Sequence, residues 1–219
     1  MLSNDVTAAD VVDALLLTPK SRLVAPVRVW RRGPEDFLLL TEPELGEVVR
    51  TQLLRSRFVA RCEIEVEEHT SALVFGDAEG LPGELPGSVE VLDSGLEPTL
   101  DAEEVERARI EAGVPAWGRE LDDSILPAEA GLDETHISFT KGCYPGQEPV
   151  ARLHHRGHAN RRLRVLQVED AKPGDVIARA GKAVGRVTSA VPGVALGYVR
   201  TEVPDDAALS VGGATARLH

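Results

Sequence analysis

Near the start of the chain apolar residues come in short runs broken by turn residues. Residues 14–17, 22–30 and 37–40 read as strands, separated by Thr18-Pro19-Lys20-Ser21 and Arg32-Gly33-Pro34-Glu35, which predicts a meander. From Thr41 the period changes. Leu45, Val48, Val49, Leu53 and Leu54 recur at helical spacing with Glu42 and Glu44 at the positive end, so Thr41 is expected to cap a helix running to about Phe58. Strands are expected at 63–67 and 72–76 and, after a loop marked by Pro82, Gly83, Pro86 and Gly87, at 89–92. Thr99 or Asp101 then caps a helix through Ala112 that Gly113 and Pro115 stop. The polar stretch 120–134 leads to a helix over about 146–155, ended by Gly157. Beyond Asn160 short alternating strands, separated by Lys172-Pro173-Gly174-Asp175, Gly181 and Pro192-Gly193, predict a small β-barrel. Strands gathered around a few helices give an α+β class, with domains expected at 1–160 and 161–219.

Composition narrows the function classes. At 219 residues, 42% hydrophobic and 27% charged, the chain has the makings of one large or two small globular domains. Its longest apolar runs are strand-sized, so no membrane partner is expected, and its polar, acidic first residues do not read as a secretory signal. Two cysteines, Cys62 and Cys143, exclude a disulfide framework and point to a reducing, cytoplasmic setting. The net charge of −12 argues against strong nucleic-acid binding. The charge is unevenly spread, however. From Lys141 to Arg164 the chain carries Lys141, Arg152, Arg156, Arg161, Arg162 and Arg164 against Glu148 alone, a net +5 that leaves −17 elsewhere. His154, His155 and His158 lie in the same stretch, which is either a solvated basic helix and turn or an anion site.

Walker A, G-x-G-x-x-G, H-E-x-x-H, G-x-S-x-G and C-x-x-C patterns do not occur. One block remains, Lys141-Gly142-Cys143-Tyr144-Pro145-Gly146-Gln147-Glu148. Its cysteine stands between glycines, beside Lys141 and just before a predicted helix, where positive charge and unpaired amides favour a thiolate. Cys143 is thus either a reactive thiol or a small buried side chain behind a tight turn. Cys143, His154 and His158 also read as C-x10-H-x3-H, but Gly157 is expected to end the helix between the histidines, so no metal is assigned. Cys62 falls in a predicted strand and reads as core. A second block runs over 109–118. There Arg109 and Glu111 meet a loop lip, and Trp117 offers a stacking face. A buried Glu111 could hold the N–H groups of a planar heterocycle, or the block is a helix-end salt bridge beside a core tryptophan.

The run K-G-C-Y-P-G-Q-E resembles the signature of the YgfZ family of folate-binding proteins, relatives of the aminomethyltransferase (T-protein) of the glycine cleavage system. Arg109 to Gly113 with Trp117 to Leu121 is similar to the family's R-x-E-x-G segment, Thr18 to Arg22 to its P-K-x-R turn, and Val184 to Ala190 with Ala195 to Val199 to its terminal barrel. The resemblance implies a T-protein-type folate-binding domain and a small C-terminal β-barrel, with tetrahydrofolate or a one-carbon derivative as ligand. It implies that Glu111 holds the pterin and Arg109 supports it. Trp117 and Tyr144 join the ligand residues, Lys141 and Arg152 face the glutamate tail, and Cys143 is the functional thiol in a loop shaped by Gly142, Gly146, Gln147 and Glu148. The implied role is assembly or repair of iron-sulfur enzymes, with an effect on tRNA methylthio modification. Folate-dependent aminomethyl transfer is the alternative. It ranks second, because Thr41 to Glu47 holds neither the Asn nor the catalytic Asp that T-protein carries after the corresponding strand. An RNA-binding module acting through 152–164 ranks third. The family also has an N-terminal strand and helix before the segment matching Leu2 to Val6, so the chain is expected to start inside a longer reading frame.

Overall fold

A computed structural model describes residues 1–57 and 61–219. The first half contains β1 (Val11–Leu17), β2 (Leu23–Arg31), β3 (Phe37–Leu40), α1 (Gly46–Ser56), β4 (Ser71–Phe75), β5 (Leu81–Pro82), β6 (Ser88–Leu92) and α2 (Ala102–Glu111). There follow α3 (Gln147–Arg156) and the strands β7 (Arg161–Val168), β8 (Val176–Arg179), β9 (Lys182–Val191), β10 (Gly193–Arg200), β11 (Leu209–Val211) and β12 (Ala214–Leu218). Two compact units result. One comprises 1–68 and 122–157, the other 69–121 and 158–219.

In the first unit β1, β2 and β3 form the expected antiparallel meander in that order. Leu23, Ala25, Val27 and Val29 alternate into the core, while Arg28 on the other face of β2 lies opposite Asp13 and pairs with it at 2.9 Å. The helix after β3 starts later than its periodicity suggests. Thr41 donates its hydroxyl to the Pro26 carbonyl instead of capping, and Pro43–Leu45 forms a 3-10 turn first. α1 ends at Ser56, and Phe58 lies outside the described residues. The strand expected at 63–67 is absent, and Cys62 is exposed, not core. This stretch holds Glu63, Glu65 and Glu67, and an edge so charged gains little by pairing.

In the second unit β4, β6 and β5 make a small antiparallel sheet. α2 begins with a complete capping box, the Asp101 side chain accepting from the Glu104 amide and Glu104 accepting from the Asp101 amide. The six remaining strands close into a barrel in the order β10-β7-β12-β11-β8-β9. Its centre is filled by Leu166, Ile177, Ala195, Val211 and Ala216, all 0% exposed. A Cβ on Gly197 would lie 2.5 Å from the Arg186 carbonyl oxygen, so the barrel wall closes there only without a side chain. The contacts divide the chain differently from the expected boundary at 160. Ile110 of α2 is wholly buried with Val194 and Leu196 of β10, and this packing draws 69–121 to the barrel.

Candidate functional site

In the first unit the two short motifs noted in the sequence meet. The Thr18 to Ser21 turn, closed by a 2.9 Å bond from the Ser21 amide to the Thr18 carbonyl, lies against Gly146 at the end of the cysteine loop. Ser21 donates its buried hydroxyl to the Gly146 carbonyl at 2.7 Å. Gly146 has φ +82, and a Cβ there would stand 2.6 Å from the Thr18 carbonyl oxygen and 3.1 Å from the Ser21 Cα. Both conformation and space therefore require glycine. From this pivot α3 runs as expected to Arg156, with Val150 and Leu153 beside the 3-10 turn Pro127–Glu129 and a small apolar cavity of about 120 Å³ between them.

The loop above the pivot separates its side chains by solubility. Tyr144 is buried and Cys143 is exposed as a free thiol, so the reading of Cys143 as buried filler does not hold. Burial raises the Tyr144 phenol above its ordinary value, and among the described residues the hydroxyl has no hydrogen-bond partner. Lys141 sits 5.8 Å from the centre of the Tyr144 ring and donates to the carbonyls of Leu2 at 2.6 Å and Asn4 at 3.0 Å. Burial pushes its ammonium below the usual lysine value, with the Asp5 carboxylate acting the other way. Lys141 thus ties the loop to the N-terminal segment. Gly142 is exposed and open, with nothing within 4 Å of where a Cβ would stand, so it is a spacer where Gly146 is a contact. Gln147 is half-buried, Glu148 is exposed, and Arg152 is exposed on α3.

The C-x10-H-x3-H pattern is not a shared helix face. α3 stops at Arg156, Gly157 is extended, and His154 is instead stacked on Phe139 with ring centres 3.9 Å apart. Among the described residues no three His, Cys, Asp or Glu side chains converge to hold a metal ion.

In the second unit the Arg109 block splits into a buried part and an open part. Arg109 bonds to Glu106 at 2.7 Å, to Glu120 at 2.9 Å, to Ser189 at 2.8 Å and to the Val114 carbonyl at 2.6 Å. Burial works against its charge, but Glu106 and Glu120 outweigh it and hold the guanidinium above its ordinary value. Glu120 is fully buried. It also accepts from the Ala116 amide and from Ser189, while Tyr198 donates to its backbone carbonyl at 2.9 Å. Arg109 is therefore part of the brace behind the loop. Glu120, which the motif resemblance spans without giving it a role, is the centre of that brace. The loop it supports includes Trp117, which is half-buried. Glu111, expected to be buried, is exposed. It stands 3.8 Å from Arg107 and lines a cavity of about 600 Å³ with Val165, Gln167, Val194 and Arg217. The lining thus combines a carboxylate, guanidinium groups and apolar side chains.

Residues 160–219 match the family described as CAF17, C-terminal beta-barrel domain. A chloroplastic protein of Arabidopsis thaliana is 29% identical over 213 residues, covering 92% of this chain and 48% of that protein. An iron-sulfur cluster assembly factor IBA57 homolog of Mycosarcoma maydis is 29% identical over 203 residues, covering 74% and 50%. The tRNA-modifying protein YgfZ of Edwardsiella ictaluri is 54% identical over 54 residues, or 24% of this chain and 16% of that protein. The chain thus spans about half the length of the first two relatives. The glycine cleavage aminomethyltransferase T of Bartonella henselae has the same fold, with a TM-score of 0.77 at 16% identity over 100% of this chain and 78% of that one.

Proposed function

We propose that this chain, a YgfZ/IBA57-type protein with the T-protein fold, is a tetrahydrofolate-binding accessory protein in the assembly or repair of iron-sulfur enzymes. Cys143 is its working thiol. One observation carries the reading: the cysteine is exposed on a loop whose base is fixed by Gly146, Ser21 and Lys141. A packing cysteine needs no such presentation, whereas a thiol that meets a partner does. The names of the IBA57 and YgfZ relatives support iron-sulfur assembly as the setting and an effect on tRNA modification as a consequence.

Tetrahydrofolate, or a one-carbon derivative, is the ligand of this reading. Glu111 accepts from the pterin, Val165 and Val194 are apolar residues of the same lining, and Arg217 is the lining cation offered to a carboxylate tail. Arg109 supports that site from behind through Glu120. The bound folate would supply one-carbon chemistry, and the chain's part is to orient it. The two cysteines and net charge of −12 support a reducing, cytoplasmic setting without strong binding of bare nucleic acid. Aminomethyl transfer is the second reading. The T-protein fold favours it, and Thr41 to Glu47, which holds no Asn or Asp, ranks it lower.

Two substitutions separate the roles. Cys143→Ala should leave tetrahydrofolate affinity near that of the parent in anaerobic calorimetry and abolish rescue of iron-sulfur enzyme activity in cells lacking the protein. Glu111→Ala should weaken folate binding by on the order of 1.5–3 kcal/mol, the range for a hydrogen bond to a charged group. Full rescue by Cys143→Ala would refute the role of the thiol, and unchanged affinity in Glu111→Ala would move the folate elsewhere.

A further inference from the structure

Arg152 and Arg156 stand four residues apart on α3, both exposed, and among the described residues neither meets a carboxylate. The chain has 36 Asp and Glu against 24 Lys and Arg, and Arg28, Arg32, Arg109, Arg119 and Arg164 hold carboxylates at 2.5–2.9 Å. The helix cannot turn these cations inward, because Val150 is buried on its other face beside Pro127. His154 stacks on Phe139, and His155 stands edge-on to His154 with ring centres 5.0 Å apart, so the last turn is also held from the side. Cys143 is exposed just ahead of the first turn.

We propose that the exposed face of α3 is a docking surface for an acidic patch on a folded protein, placed so that the partner's reactive group comes to Cys143. This rests on the reading of Cys143 as a working thiol and adds what selects the partner. Charge complementarity favours a compact acidic patch over nucleic acid. α3 is ten residues long, about 15 Å, and faces only a few charges at once. A phosphate polymer would extend past it over a chain that carries −17 outside 141–164.

The test measures thiol exchange, not enzyme rescue. Two peptides of one length, one rich in glutamate and one with glutamine in its place, each carry a cysteine activated as its thionitrobenzoate disulfide. The Cys143 thiolate attacks the peptide sulfur, a mixed disulfide forms, and thionitrobenzoate leaves with the bonding electrons and is read by absorbance. In a full-length chain with Cys62→Ser, the acidic peptide should react at least about tenfold faster at low salt. The advantage should vanish at high salt and in Arg152→Glu/Arg156→Glu, while the neutral peptide keeps its rate in that variant and so reports a folded loop. Equal rates for the two peptides, or an advantage that survives charge reversal, would overturn the proposal. So would a single-stranded RNA that blocks the acidic peptide better than a glutamate-rich competitor of equal charge, which would make phosphate the preferred ligand, and so would a matching loss of tetrahydrofolate affinity in the double variant, which would put the arginines in the folate site. If docking fails in these ways while Cys143→Ala still abolishes rescue, the function stands and its partner docks elsewhere.

Discussion

Gly146→Ala tests the architecture of the cysteine loop most directly. A residue with a Cβ at φ +82 costs about 1–2 kcal/mol from backbone sterics alone. The added carbon would also stand 2.6 Å from the Thr18 carbonyl oxygen and 3.1–3.2 Å from Ser21 backbone atoms, which cannot swing aside as a side chain can. Overpacking of this kind costs about 1–3 kcal/mol. If the loop shifts to relieve it, the buried 2.7 Å bond from Ser21 to Gly146 is lost instead, worth roughly 1 kcal/mol. The expected loss is on the order of 2–4 kcal/mol for the unit formed by 1–68 and 122–157. Urea unfolding followed by intrinsic fluorescence should show the midpoint falling, with Cys143 becoming faster to label because its loop detaches. Gly142→Ala is the control. With open space around its Cβ position it should stay within about 0.5 kcal/mol of the parent. Equal midpoints for Gly146→Ala and the parent would refute the close approach of the loop to the Thr18 turn.

Glu120→Ala should be among the costliest substitutions in the second unit. It leaves Arg109, 12% exposed, and the Ser189 hydroxyl without their buried acceptor, so a loss of about 3 kcal/mol or more is expected. Glu103→Ala, which removes an exposed partner 3.9 Å from Arg107, should barely move the melting temperature, and similar shifts for the two would refute the contrast. Acid should act through Glu106. Hydrogen bonding from Arg109 holds its carboxyl below the usual range against the effect of burial. The stabilisation is complete above the unfolded value of about 4.3 and is lost as pH falls through the lower folded value. The stability gap between the parent and Glu106→Gln should therefore narrow below pH 4 or so, and a gap constant with pH would exclude this pairing.

Local signals translate well where one side chain decides. Asp101 and Glu104 are three apart and form the capping box, Gly157 ends α3, and the alternation in β2 sets its buried face. They fail where a distant group competes. Thr41 reads as a cap but spends its hydroxyl on Pro26, and 63–67 reads as a strand without a neighbour to pair with. The candidate site follows the same division. The octapeptide marks Cys143, and nothing local tells that Ser21 holds its base, because the two partners of that bond are 125 positions apart. Glu111 reads as a buried acceptor because R-x-E can face either way at a helix end. Ile110 takes the buried position and turns Glu111 outward.

That separation has a consequence for how the protein is made. The segment 122–157 must return to 1–68 across all of 69–121 before the Thr18 turn and Gly146 can meet. Closing so long a loop costs roughly 4 kcal/mol in chain entropy beyond the constant term, so it depends on the meander being already in place. Contacts of this range slow a folding reaction, because closure entropy is spent before they reward it. The loop bearing the thiol is thus expected to be secured late in folding. A nascent or heat-damaged chain would expose a cysteine with no fixed surroundings, and the same closure that completes the fold also switches on the presentation of Cys143.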